Sequence, residues 1–205
     1  MNQCKRPSGW LGRLILRNMN ARHSRVTGWG LAHITVRQRD TILDVGCGGG
    51  RTIGKLAALA REGKVYGIDH AEASVAVAVK TNRQLIEDGR VQIQKATVSQ
   101  LPFAAEMFDL VTAVETHFWW PDLPEGMREI RRVLKPGGKL IIIAEVYRGA
   151  TGMVGRLAEK HLPSTGLKLL TIDEHRALFV DAGFTDIEIG TEPAKGWIWA
   201  VGRQP

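Results

Sequence analysis

Ile42-Leu43-Asp44-Val45-Gly46-Cys47-Gly48-Gly49-Gly50-Arg51-Thr52 carries an apolar strand into a glycine-rich turn and then into the start of a helix. Gly46, Gly48 and Gly50 alternate, so the backbone can take positive φ there and a ligand can approach the chain without meeting a Cβ. A nucleotide-like ligand is the expected occupant. Arg51 stands where the dinucleotide fingerprint needs its third glycine, which disfavours an NAD site. About twenty residues on, Val65-Tyr66-Gly67-Ile68-Asp69 has the character of a second buried parallel strand, ending in a carboxylate. In an open α/β sheet that position faces the ribose of a ligand lying across the strand ends. Asp69 is therefore the expected ribose clamp.

Working outward, strand and helix alternate from residue 41 onward, which implies a parallel sheet covered on both faces. The pattern predicts strands at 41–46, 64–69, 91–96, 108–114, 138–145, 184–191 and 196–202, with helices at 50–61, 73–88, 122–134 and 173–182. Thr171-Ile172-Asp173-Glu174 has capping-box spacing, and Pro136-Gly137-Gly138 stops the preceding helix and turns the chain. Only Glu192-Pro193-Ala194-Lys195 separates the last two strands, so they should form an antiparallel hairpin. The fold class expected is α/β: a Rossmann-like, seven-stranded, mostly parallel sheet with an antiparallel last strand, helices on both faces and an N-terminal helical arm.

With these pieces in place, the chain resembles the class I S-adenosylmethionine (SAM) dependent methyltransferases from about residue 40 to its C-terminus. It is most similar to the type 11 branch, which includes the ubiquinone/menaquinone C-methyltransferases. The other matching pieces are Leu101-Pro102-Phe103, Phe108-Asp109-Leu110-Val111-Thr112-Ala113-Val114, and Glu129-Ile130-Arg131-Arg132-Val133-Leu134-Lys135-Pro136-Gly137-Gly138-Lys139-Leu140. The resemblance implies SAM as methyl donor and S-adenosyl-L-homocysteine as product. It also implies that Asp44 and the turn Gly46, Cys47, Gly48, Gly50 hold the methionine end, that Asp69 takes the ribose, and that His70 or the next side chain lies against adenine. Bracing of the glycine turn is the structural alternative for Asp44. Where the family usually has an aspartate for the adenine amino group, this chain has Thr97; its hydroxyl can still accept and the Val98 N–H can donate.

The chain is 205 residues long, the size of one α/β domain. Its net charge of +7 is uneven: residues 1–40 hold eight basic residues against the single acid Asp40, and the rest is balanced. The organisation expected is a basic helical arm or lid over 1–40 and a methyltransferase domain over 41–205. Within the arm, Trp10, Leu11, Leu14, Ile15 and Met19 recur at helical spacing with Arg13 and Arg17 on another face, and 28–34 suggests a second helix. The first helix suits a lid packed on the domain, contact with an anionic surface or lipid-like substrate, or nucleic acid. The two cysteines, Cys4 and Cys47, suggest neither a disulfide framework nor a zinc site. Absence of a signal core or a spanning apolar run points to a cytoplasmic protein.

After the fourth strand, Glu115-Thr116-His117-Phe118-Trp119-Trp120-Pro121-Asp122 occupies the place where this fold brings substrate and methyl group together. Phe118 and Trp119 stand where related enzymes often have paired histidines, which suggests an apolar or aromatic acceptor. Glu115 and His117 are candidate general bases, Glu115 equally a holder of the SAM amino group, and His117 alternatively a structural histidine. Tyr147, with Glu145 and Arg148, could face substrate from the end of the fifth strand, and His23 could reach in from the arm. The glycines of 147–170 suggest a substrate-covering insertion. No acid-and-amide cluster suggests magnesium ligands, so no metal is expected. The expected function is methyl transfer to a small, apolar or aromatic molecule at oxygen, carbon or nitrogen. RNA methylation using the basic arm, or a catalytically silent SAM-binding protein, is the alternative. A monomer and a homodimer both remain open; Trp197 and Trp199 could divide between a partner subunit and the core or both pack in the core.

Overall fold

The structure, a computed structural model, describes residues 24–151 and 167–205. Seven strands form one sheet: β1 (Thr41–Val45), β2 (Lys64–Asp69), β3 (Val91–Lys95), β4 (Phe108–Val114), β5 (Leu134–Ala144), β6 (Thr185–Glu192) and β7 (Trp197–Arg203). Their order is β3-β2-β1-β4-β5-β7-β6. Every neighbouring pair from β3 to β5 is parallel, and β7 runs antiparallel to both β5 and β6. The sheet therefore has the expected mostly parallel form with the hairpin at one edge.

Side-chain alternation along the strands builds two cores. Leu43, Val45, Val111, Ala113, Leu140 and Ile142 face one side, while Ile42, Leu110, Ile141 and Ile143 face the other. Helices cover both sides because a parallel strand buries both of its faces. The described helices are α1 (24–31), α2 (Arg51–Leu59), α3 (Glu72–Thr81), α4 (Arg83–Glu87), α5 (Leu123–Val133) and α6 (Ile172–Asp181). Met127, Ile130 and Val133 of α5, with Phe179 of α6, fill the first core; Ile53, Leu56 and Ala57 of α2, with Val26 and Leu31 of α1, fill the second.

Two differences from the sequence reading, and the outcome at one point it left open, have physical causes. The helix predicted over 73–88 breaks at Asn82, whose side chain donates inward to the carbonyls of Ala78 and Gly50, both at 2.9 Å, in competition with the helical ladder. β5 begins at Leu134 rather than 138, because Leu134 pairs with Phe108 before the Pro136-Gly137 excursion and the pairing then resumes at Lys139. Trp197 and Trp199 do not divide between two sides: residues two apart on a strand share a face. Both pack on the second core with Trp29, and His33 stacks on Trp199 at 4.6 Å between centroids. The helix predicted over Trp10–Met19, His23 and the middle of the predicted covering insertion lie outside the described residues.

Two of the sequence pieces that carry the resemblance, around Leu101 and around Glu129, turn out to be one device. Glu129 accepts from the Leu101 N–H at 2.9 Å and from Arg132, whose guanidinium also reaches the carbonyls of Leu101 and Phe103. The Arg132 guanidinium holds the Glu129 carboxyl below its ordinary range. This pair ties the Leu101–Phe103 loop to α5 near the start of β4, where the N–H groups of Glu106 and Met107 donate to the carbonyls of Arg132 and Val133. At the other end of the sheet, β2 flanks β1 on one side and β4 on the other, so the chain reverses its winding between β1 and β4. In open α/β sheets such a switch point, at the strands' C-terminal ends, is where ligands bind.

Candidate active site

The glycine turn sits at this switch point, between the end of β1 and α2. The N–H groups of Gly46 and Cys47 both donate to the Ile68 carbonyl, at 2.8 and 2.9 Å, which pins the turn to β2. Gly46, Gly48 and Gly50 have φ of 71°, 53° and 79°. The first and last are also packed: a Cβ on Gly46 would lie 2.2 Å from Thr116 Oγ1, and one on Gly50 would lie 2.5 Å from Asn82 Nδ2 and 2.9 Å from the Ala78 Cα. A Cβ on Gly48 would meet nothing within 4 Å. The turn is thus locked at both ends and open in the middle.

Two buried carboxylates converge on it. Asp69 accepts from the Gly48 N–H at 3.0 Å through Oδ2 and from the Ala71 N–H at 2.9 Å through Oδ1, each oxygen keeping a second lone pair. His70 is largely exposed, its Nδ1 3.6 Å from Asp69 Oδ1. Asp44 leaves β1 into the core, where Oδ1 accepts from Thr112 Oγ1 at 2.7 Å and Oδ2 has no hydrogen-bond partner among the described residues. Burial raises the Asp44 carboxyl to about 7, against the lowering effect of the Thr112 hydroxyl, and the nearby Asp69 adds to the rise. Cys47 is buried behind the turn, and burial followed by Asp44 and Asp69 pushes its thiol well up, leaving it protonated and unreactive.

Beyond β4, Glu115 has a φ of 57°, an uncommon conformation for a residue other than glycine. Its carboxylate accepts from the Glu145 N–H, tying the ends of β4 and β5 together. His117 opens a single 3₁₀ turn, His117–Trp119, and is buried. Its Nε2 lies 3.2 Å from Nε2 of His175 on α6, and its Nδ1 has no partner among the described residues. Phe118, Ala144, Tyr147, Ala150 and Ile198 form a third apolar cluster, with Trp119 and Leu167 packed against it. Two cavities of about 400 Å³ lie elsewhere. One is lined by Lys139, Asp186 and Glu188 and the other by Arg128, Arg131 and Arg132. Neither has the converging buried polar groups of the switch point, which is the better candidate.

Residues 43–142, the segment from β1 to β5, match the methyltransferase-domain family. Methyltransferase GfsG of Streptomyces halstedii is 36% identical over 162 residues, covering 74% of this chain and 57% of that protein. The 2-phytyl-1,4-naphtoquinone methyltransferase of Synechococcus elongatus is 34% identical over 124 residues, covering 60% of this chain and 53% of that one. The chain belongs to the class I methyltransferases, type 11 branch. It spans a little over half the length of these two relatives. In fold, the chain is similar to the putative methyltransferase solved with the Trm112 activator of Haloferax volcanii, with a TM-score of 0.76, 23% identity and 93% of each chain covered.

The fold brings Asp44, Gly46, Cys47, Gly48, Gly50, Asp69 and His70 around one turn, and Glu115 and His117 onto the segment that follows β4. Thr97 is exposed and forms an isolated bridge with Gln100, whereas the Val98 side chain is buried in the first core. Tyr147 packs in the third cluster, while Arg148 turns outward to pair with Glu174. Three residues that hold the site were not picked out as site residues from sequence: Thr112 beneath Asp44, Asn82 against Gly50 and His175 against His117. Thr112 left a faint signal, as a polar residue within the apolar run Leu110–Val114, whereas nothing local marks Asn82 or His175. The open space at Gly48 also sets an expectation for Gly48→Ala. The variant should lose about 1–2 kcal/mol to backbone strain, since no neighbour obstructs the methyl group. SAM affinity should nevertheless fall at least about tenfold, because the methyl group fills the side from which a ligand approaches. Thermal melting and equilibrium binding on the same sample check both halves.

Proposed function

We propose that the protein transfers a methyl group from SAM to a small, apolar or aromatic molecule. The observation that carries this reading is the convergence of two buried carboxylates on one glycine turn at the switch point, one oxygen of Asp44 having no partner among the described residues. The residues present fit the donor. The unpaired Asp44 Oδ2 offers a buried negative group for an ammonium, and the open side of Gly48 admits a ligand to the backbone. Asp69 keeps lone pairs for two ribose hydroxyls while its other contacts hold the turn. His70, Thr97 and the Val98 N–H would border adenine. When bound, SAM supplies a methyl group on a positively charged sulfur that is a good leaving group.

The protein's task is then placement and exclusion of water, which can contribute roughly 7–11 kcal/mol to lowering a barrier. The cluster of Phe118, Trp119, Tyr147 and Leu167 supports an apolar acceptor. Glu115, already engaged by the Glu145 N–H, suits a holding role better than that of a base, which favours His117 for proton transfer. No three His, Cys, Asp or Glu residues cluster as metal ligands among the described residues, and no helix there is long and apolar enough to cross a membrane.

The test is incubation with methyl-labelled SAM and a cell extract separated into organic-soluble, aqueous small-molecule, RNA and protein fractions, beside an Asp69→Ala control. Label in a small-molecule fraction that disappears in the control supports the proposal. Label in RNA overturns the acceptor class, and SAM binding with no label in any fraction counts against turnover.

A further inference from the structure

His117 and His175 stand 58 residues apart and meet in the interior, on the turn after β4 and on α6. Both are buried, and the described hydrogen bonds of the two rings go to each other and to the Thr171 carbonyl rather than to a carboxylate. Their hydrogen bonds form a short line with a definite direction. His175 Nδ1 lies 2.8 Å from the Thr171 carbonyl oxygen, which can only accept, so this nitrogen carries a proton. The neutral ring then presents a lone pair at Nε2. Across the 3.2 Å contact His117 must therefore donate from its own Nε2. The proton is thereby fixed on one nitrogen of His117, and Nδ1 is left with a lone pair.

That lone pair is the atom without a partner among the described residues. A buried acceptor left unmatched costs about 1–3 kcal/mol, so a purely structural histidine would be expected to satisfy it. His117 also adjoins the third apolar cluster, its ring 5.0 Å from that of Phe118. Burial, followed by the adjoining His175, holds the His117 imidazole well below its ordinary range; burial also lowers His175, outweighing the Thr171 carbonyl and Glu174. Both rings are neutral at pH 7. The support for His175 begins outside the site: Thr171 caps α6 reciprocally with Glu174, and its carbonyl also receives the His175 backbone N–H at 2.9 Å.

We propose that His175 is a positioning residue that fixes His117 as the Nε2–H tautomer, leaving Nδ1 of His117 to accept the proton of a hydroxyl or activated carbon acid as that acceptor is methylated. This rests on the methyltransferase reading. The acceptor's O–H or C–H bond breaks and its proton passes to His117 Nδ1. Its electron pair forms the bond to the methyl carbon, and the pair of the broken methyl–sulfur bond stays on sulfur. His117 becomes an imidazolium still donating to His175 Nε2, and returns its proton to solvent before the next turnover. An acceptor with no proton to lose would make no use of this arrangement.

Long-range nitrogen–proton NMR of the ligand-free protein reads both tautomers directly, and methyl transfer to the acceptor found by labelling reads their consequence. Wild type should show an imine-type nitrogen at His117 Nδ1 and a protonated Nδ1 at His175. His175→Leu should mix the His117 tautomers and lower kcat at least about tenfold, with SAM affinity unchanged. His175→Gln, whose amide oxygen can accept from His117 Nε2, should restore most of both. A proton on His117 Nδ1 in wild type, or His175→Leu leaving tautomer and kcat intact, overturns the proposal. If His175→Leu does not fold, the wild-type spectrum still decides the tautomer. Absence of methyl transfer by wild type would remove the underlying activity, whereas the ligand-free spectrum tests the relay separately.

Discussion

Asp44→Asn is expected to raise the melting temperature of the ligand-free protein at pH 8 while removing most of its affinity for SAM. Asp44 is buried with its carboxyl raised from 3.8 to about 7, mainly by loss of solvation. Between these values the native state keeps a proton that the unfolded chain has released, so stability falls as pH rises through the window. Below it both states are protonated and the penalty vanishes; above it the penalty is complete, on the order of 4 kcal/mol. Asparagine removes the charge and can still accept from Thr112 Oγ1. The gain should therefore be several degrees or more at pH 8 and near zero at pH 4, as melting curves at the two values would show. The same substitution removes the negative group for the donor's ammonium. In wild type a bound cation stabilises ionised Asp44, so binding releases a proton and tightens as pH rises from 6 to 8. The variant should lack that component, which calorimetry in buffers of different ionisation enthalpy measures. A variant that is less stable at pH 8 and binds SAM normally would show that the charge has no role in binding.

Asp69→Ala should have the opposite effect on stability together with a similar loss of binding. Its carboxylate accepts from the N–H groups of Gly48 and Ala71, so alanine leaves two backbone donors without their partner and releases the middle of the turn. A cost of about 2–4 kcal/mol follows. The ribose contacts add a larger effect on binding. Two hydrogen bonds to a charged group are together worth about 3–6 kcal/mol, which corresponds to at least about a hundredfold in Kd. Asp69→Asn separates the roles, since its one acceptor oxygen can keep one backbone contact. It should recover much of the stability and little of the affinity. Equal recovery of both would reduce Asp69 to a brace for the turn.

The strands and the glycine turn were legible because their determinants are local. The short runs Ile42–Val45 and Leu110–Val114, buried on both faces of the sheet, and positive φ at Gly46, Gly48 and Gly50, are written within a few neighbouring residues. Asp69 was legible for the same reason, as an acid closing an apolar strand. The supports were not, because each depends on contact across the fold: Thr112 reaches Asp44 over 68 positions and Asn82 reaches Gly50 over 32. His175 shows the difference most clearly. Its helix was marked by the Thr171–Glu174 capping box, yet nothing within that helix reveals that one of its residues meets the turn after β4. Likewise Trp197 and Trp199 announced an apolar face, while their partners Trp29 and His33 lie in a segment far earlier in the chain.

Equilibrium titration of the wild-type protein with SAM at pH 8, alongside Asp69→Ala, tests the central claim that the glycine turn is the methyl donor's seat. One site per chain with Kd between about 1 μM and 1 mM, the range of typical KM values, and binding lost in the variant, is the predicted result. No binding to wild type at millimolar SAM, or the same affinity in Asp69→Ala, would contradict it.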